Sequence, residues 1–214
     1  MRCRRCDGVL RRFSKMGTVE YRIERIRLSL VQLKQRLEAA GYEFEDPADA
    51  LPGPGTDVES ALARLHQEVG FVPLALKLFY QRIGSVNFLG HHPDWEEWDG
   101  AYSDPLFVYP VTVALSELDE FLSNRMTYDE HFGRFRVPIA PDDLHKADVS
   151  GGMWYNIALP DESEDPWLLD EWHETTFLNY LEIALRWGGF PGIERWNYQG
   201  HNWPIAELAR GFDF

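Results

Sequence analysis

The chain has 214 residues, 44% of them hydrophobic, which is enough for one full core and favours one large domain over two. Its net charge of −14 argues against a nucleic-acid surface on the folded part, because phosphates would be repelled. No apolar run reaches the roughly 18 residues of a membrane span, the N-terminus lacks the apolar segment of a signal peptide, and Cys3 and Cys6 cannot supply a disulfide framework. A cytoplasmic protein without membrane contact is expected.

The charge is unevenly placed. Residues 1–36 hold 11 basic and 3 acidic side chains, whereas the remainder holds 10 basic and 32 acidic ones. An acidic body of this kind favours a cationic partner, although solubility alone also accounts for it.

Residues 1–15 read as a disordered basic tail, with Met16 resembling a natural start and residues 16–214 forming the single domain. Cys3 and Cys6 make half a zinc knuckle, and the nearest histidine is His66. Glu20 to Ala40 places Ile23, Ile26, Leu30, Leu33 and Leu37 on one stripe ahead of Gly41, an amphipathic helix. Asp46 to Gly55, with its prolines and glycines, is a loop. Thr56 and Glu59 spell a capping box for a helix to Val69. The stretch Val72 to Trp95 is expected to organise the rest: an apolar helix after Pro73 ends at Gly84 and turns into a buried strand, Ser85 to Leu89. An acidic, aromatic loop follows.

Leu106 to Ala114 reads as a strand with Pro110 at an edge or bulge, and Ser116 as the cap of a helix through Met126. Arg134 to Ala140 and Met153 to Leu159 alternate like strands, the latter with Tyr155, Ile157 and Leu159 on one face. Thr175 or Thr176 starts a strongly amphipathic helix that Gly188 and Gly189 stop, and Trp203 to Arg210 forms a short closing helix. The order implies an α+β class: a central mixed or antiparallel sheet with helices packed against it, helices leading and a C-terminal helix closing.

No catalytic motif of high specificity is present. His91, His92, Asp94, Asp142, Asp143, His145, Asp148, His173 and Glu174 are suitable metal ligands, but none has diagnostic spacing, and solvated loop side chains are the simpler account of them. There is no nucleophile elbow, and the acidic loops offer so many carboxylate pairs of the kind that cleaves glycosides that none is singled out. No cofactor, metal or catalytic residue is expected.

The tryptophans discriminate better. Trp154, Trp187, Trp196 and Trp203 lie in helical, strand or C-terminal settings that favour packing. Trp95, Trp98, Trp167 and Trp172 lie among acids in proline-marked loops. Aromatic anchors ringed by acids suit a basic protein partner, which nominates Asp94, Trp95, Glu96, Glu97, Trp98 and Asp99 with Asp161, Glu162, Glu164, Asp165, Trp167 and Trp172 as partner-binding residues. The alternative for each indole is that it folds back onto the core. The loops Asp94 to Asp104 and Asp161 to Glu174 are expected to border one concave surface.

The helix-to-strand segment VPLALKLFYQRIGSVNFLG, the later strand WYNIALP and the helix TTFLNYLEIALRWGG resemble the SUKH superfamily of Smi/Knr-like regulators and bacterial immunity proteins, over Leu62 to Gly189. Pro73 and Gly84 match the family pattern, whereas Ile83 stands where a polar residue is usual. The resemblance implies an α+β binding scaffold without an active site, here an immunity protein that neutralises a basic, nuclease-like toxin. A general regulatory interaction module and a metal-dependent hydrolase are the alternative readings.

Overall fold

The computed structural model describes residues 17–95, 104–127, 133–195 and 203–214. The basic tail and most of the first acidic loop lie outside them. Helix α1 spans Thr18–Ala40, α2 Val58–Val69, α3 Leu74–Arg82, α4 Val111–Thr127, α5 Asp143–Lys146, α6 Phe177–Arg186, α7 Gly192–Arg195 and α8 Ile205–Leu208. Strands are β1 Glu43–Phe44, β2 Val86–Asn87, β3 Gly90–His91, β4 Phe107–Val108, β5 Phe135–Ala140 and β6 Tyr155–Leu159. Helices packed against antiparallel strands make this an α+β fold.

The three- and four-residue spacing of α1 buries Val19, Ile23, Ile26, Leu30, Leu33 and Leu37 on one stripe. That stripe packs against α3, α6 and α8. Thus α1, rather than the corner after Val72, is the element around which the core collects. Gly41 ends it at φ 92°, with its N–H donated to the Glu38 carbonyl.

The strands form three antiparallel pairs, β1 with β3, β2 with β4 and β5 with β6, instead of one continuous central sheet. One backbone bond links the second pair to the third, Tyr109 N–H donating to the Ile139 carbonyl at 2.8 Å, whereas the bond from Glu45 N–H to the Leu89 carbonyl at 2.9 Å extends the β1–β3 pair. Beyond β6, Asn156 exchanges both backbone bonds with Leu169, which adds a further short extended segment.

The corner is built as its glycine suggests. After α3, Gly84 adopts φ 89°, and a Cβ there would stand 2.1 Å from the Gly53 carbonyl oxygen. The Asp46–Gly55 loop therefore lies over the corner, tied by Asn87 N–H to the Ala50 carbonyl at 3.1 Å. Three local readings change. The capping box is not formed, because Asp57 rather than Thr56 precedes α2 and the Thr56 hydroxyl donates to Asp57 at 3.4 Å. The expected strand Leu106 to Ala114 stops at Val108. From Val111 the chain is helical, because Val111, Ala114 and Leu118 supply a buried helical stripe that outweighs the β-propensity of Val111-Thr112-Val113. The loop after Ala140 contains α5, capped by the Asp142 carboxylate on His145 N–H.

Candidate functional site

The second acidic loop, residues 161–174, is stitched to its surroundings at nearly every step. Asp161 N–H donates to the Phe71 carbonyl at 3.0 Å, and Ala75 N–H, in the first turn of α3, to the Glu164 carbonyl at 2.8 Å. Phe177 N–H donates to Pro166 and Leu168 N–H to Thr175, both at 2.9 Å. Asp161 also closes a local turn by accepting from Ser163 N–H at 2.8 Å. On this fixed backbone Glu162 and Glu164 are exposed, and Trp167 is 52% exposed. Phe71, 40% exposed and covered by the Lys77 ammonium at 4.8 Å, lies where the loop begins.

Asp165 has a different task from the one its sequence suggests. Its carboxylate accepts from the Leu178 N–H at 2.9 Å and the Thr176 hydroxyl at 2.8 Å, which satisfies the N-terminus of α6. It also meets Arg22 of α1 at 3.0 Å, and the same guanidinium reaches Glu182 at 2.8 Å. Asp165 is thus a structural cap and ion-pair partner, with its oxygens already used. Trp172 is half-buried, its ring 3.6 Å from that of His173 and 6.0 Å from the Arg195 guanidinium.

In the first loop, Asp94 is exposed, and its N–H donates to His92 Nδ1 at 3.0 Å. Trp95 is corrected from a surface anchor to a core residue. It is buried, stacked on His92 at 4.4 Å, and packed against Trp203 at 4.9 Å and Tyr42 at 5.7 Å. A flat indole between an imidazole and two further aromatic rings gains more from burial than from exposure beside acids. Glu96, Glu97, Trp98 and Asp99 lie outside the described residues, as does Trp196. Trp187 and Trp203 pack partly buried onto the core, and Trp154 stands half-buried just ahead of β6 rather than within it.

The two loops approach each other below the surface, through residues that the sequence did not single out. Asp104, at the end of the first loop with φ 48°, pairs with the fully buried Lys146 of α5. Burial pushes the Asp104 carboxyl up, Lys146 opposes this, and the charges of Asp143 and Glu171 push it further up. Glu171, in the second loop, is itself fully buried and meets His173 Nδ1, while His173 Nε2 faces Glu194 at 3.4 Å. The Asp104 Oδ2 atom and the Tyr180 hydroxyl are buried without a hydrogen-bond partner among the described residues. Desolvation, then the Asp104 charge, raises Tyr180 well above an ordinary phenol. No sequence signal marks this cluster, because Asp104, Lys146 and Glu171 come from three separate segments with no mutual spacing.

The histidines whose chemistry would suit a metal are engaged locally. His145 contacts its own helix cap, Asp142, at 2.7 Å, and His91 contacts Glu43 at 3.5 Å. Burial would raise Asp142, but the N–H groups of His145 and Met153 and the His145 ring hold it below the ordinary carboxylate range. Among the described residues no three His, Cys, Asp or Glu side chains converge as metal ligands, and no helix is long and apolar enough to cross a membrane. Comparison with family models, curated proteins and solved structures returns no match.

Proposed function

We propose that this is a non-enzymatic binding protein that engages a basic protein partner through the 161–174 loop, and that it acts as an immunity protein of the SUKH type against a nuclease-like toxin in the cytoplasm. The observation that carries the reading is Trp167, the most exposed large aromatic among the described residues, held on a hydrogen-bonded backbone beside exposed Glu162 and Glu164. An exposed indole on a held backbone, in a loop that also exposes acids, offers an aromatic anchor with little backbone ordering to lose and an attraction for cations, the combination found at interface hot spots. With Asp165 and Trp95 assigned to structure, the binding set narrows to Asp94, Asp161, Glu162, Glu164, Trp167 and Trp172, joined by the remaining loop residues Glu96, Glu97, Trp98 and Asp99.

The test is capture from the source cell with the parent protein and with Trp167→Ala, followed by co-expression of each captured protein. A basic partner that arrests growth, and whose arrest the parent relieves but Trp167→Ala does not, is the expected result. Capture of the same toxic partner with equal relief by both forms would remove the loop from the interface. Partners that arrest nothing would favour the regulatory module instead.

A further inference from the structure

The outer edge of β5 offers a second surface, distinct from the acidic loop. Asn156 of β6 turns both its N–H and its carbonyl to Leu169, away from β5. Its partner across the pair is Pro138, which has no N–H, so the Asn156–Pro138 pair carries no ladder bonds. The alternation of an antiparallel ladder then fixes the rest. Arg136, opposite Ala158, also points its N–H and carbonyl away from β6.

On that outer side β4 ends at Val108, and among the described residues one backbone bond, from Tyr109 N–H to the Ile139 carbonyl, joins the following segment to β5 before Pro110 and α4. The opposite edge of the pair is closed by Leu169 and by the Arg134 guanidinium, which donates to the Ala158 and Pro160 carbonyls. A groove of about 380 Å³ runs between α4 and the start of β5, lined by Glu117, Glu120, Phe121, Asn124 and residues 133–136. Glu117 and Glu120 have no cationic partner among the described residues, and burial followed by the charge of Glu120 raises the Glu117 carboxyl. The two arginines of the groove are directed elsewhere, Arg134 to the β6 carbonyls and Arg136 to Asp170 at 3.4 Å.

We propose that this edge takes an extended basic peptide segment of a partner protein, added as a strand beside Arg136 with its cationic side chains facing Glu117 and Glu120. Backbone bonds supply the alignment, and the two carboxylates, which have no cationic partner among the described residues, supply the preference for cations. The proposal stands whether or not the 161–174 loop binds a toxin.

The probe is a blocked hexapeptide alternating Lys and Val, titrated into the full chain and followed by amide chemical shifts and by hydrogen exchange at Arg136. Binding that slows Arg136 N–H exchange is expected, with the Glu-Val counterpart and a backbone N-methylated Lys-Val peptide failing to bind. Glu117→Gln with Glu120→Gln should weaken binding roughly fivefold. Arg136→Pro, which removes only an outward donor, should abolish the interaction that Arg136→Ala retains. If Arg136→Pro does not fold, the N-methylated peptide decides the same question. No binding by the Lys-Val peptide, equal binding by its acidic or N-methylated counterpart, or protection of Arg136 that grows with protein concentration and so assigns the edge to a second copy, would each overturn the proposal.

Discussion

The side chain of Lys146 is completely buried, and the carboxylate it meets, Asp104, is 2% exposed. Removing two such charges from water costs several kcal/mol per ion, which their attraction only partly offsets. Lys146→Met or Asp104→Asn alone leaves one buried charge unpaired and should lower stability by about 3 kcal/mol. The combined change to Met and Leu should be near neutral or stabilising, and a double-mutant cycle by denaturant unfolding measures the difference. Arg22 is the second residue of this kind. It holds Asp165 and Glu182, both under 20% exposed, so Arg22→Ala should cost about 2 kcal/mol in the same assay, and Arg22→Lys less. None of these pairs was legible in the sequence. An ion pair between positions 22 and 165 has no local period, whereas Trp95 was misread because its neighbours in sequence are acids and its neighbours in space are His92, Tyr42 and Trp203.

Elements were legible where one local rule dominated. The α1 stripe, the α6 stripe between Thr176 and the two glycines, and the β5 and β6 alternation all follow from periodicity, and each is found within about two residues of its expected bounds. The stretch 106–114 failed because its β-branched residues and its helical spacing point to different structures, and only tertiary burial of Val111, Ala114 and Leu118 decides between them. The sheet broke into pairs because β1 to β4 are two residues each, and glycine, proline and the Asp46–Gly55 loop interrupt them. The corner offers the element-scale prediction. Gly84→Ala adds left-handed strain and a contact 2.1 Å from a backbone oxygen, neither of which a side-chain rotation relieves. It should lower stability by about 3 kcal/mol. Gly53→Ala has similar φ, 85°, but open space around its Cβ, so it should lose only about 1 kcal/mol. Equal losses from the two would show that the close approach of the loop to the corner carries no energy.

Across the whole molecule the acidic excess sets how stability responds to pH. Asp104 and Glu117 have folded-state pKa values raised above the usual carboxylate range, Asp104 by burial against the opposing Lys146 and Glu117 by burial and Glu120. A raised carboxyl binds its proton more tightly in the folded state, so folding gains stability as pH falls from neutrality through the raised values. Asp142 has the opposite sign. Its depressed pKa contributes stability above the unfolded value of 3.8 that is lost as pH falls through the folded one. The stability maximum should therefore lie between about pH 4 and 6, on the acid side of neutral, with a decline below it. Added salt at pH 7 should raise the melting temperature, since screening weakens repulsion within a chain of net charge −14. Glu117→Gln tests the assignment of the rising limb. It should flatten the gain that accompanies falling pH from neutrality while leaving the acid-side decline in place, whereas Asp142→Asn should diminish that decline. A parent protein most stable at pH 8 and insensitive to salt would mean that its ion pairs outweigh the repulsion of the acidic body.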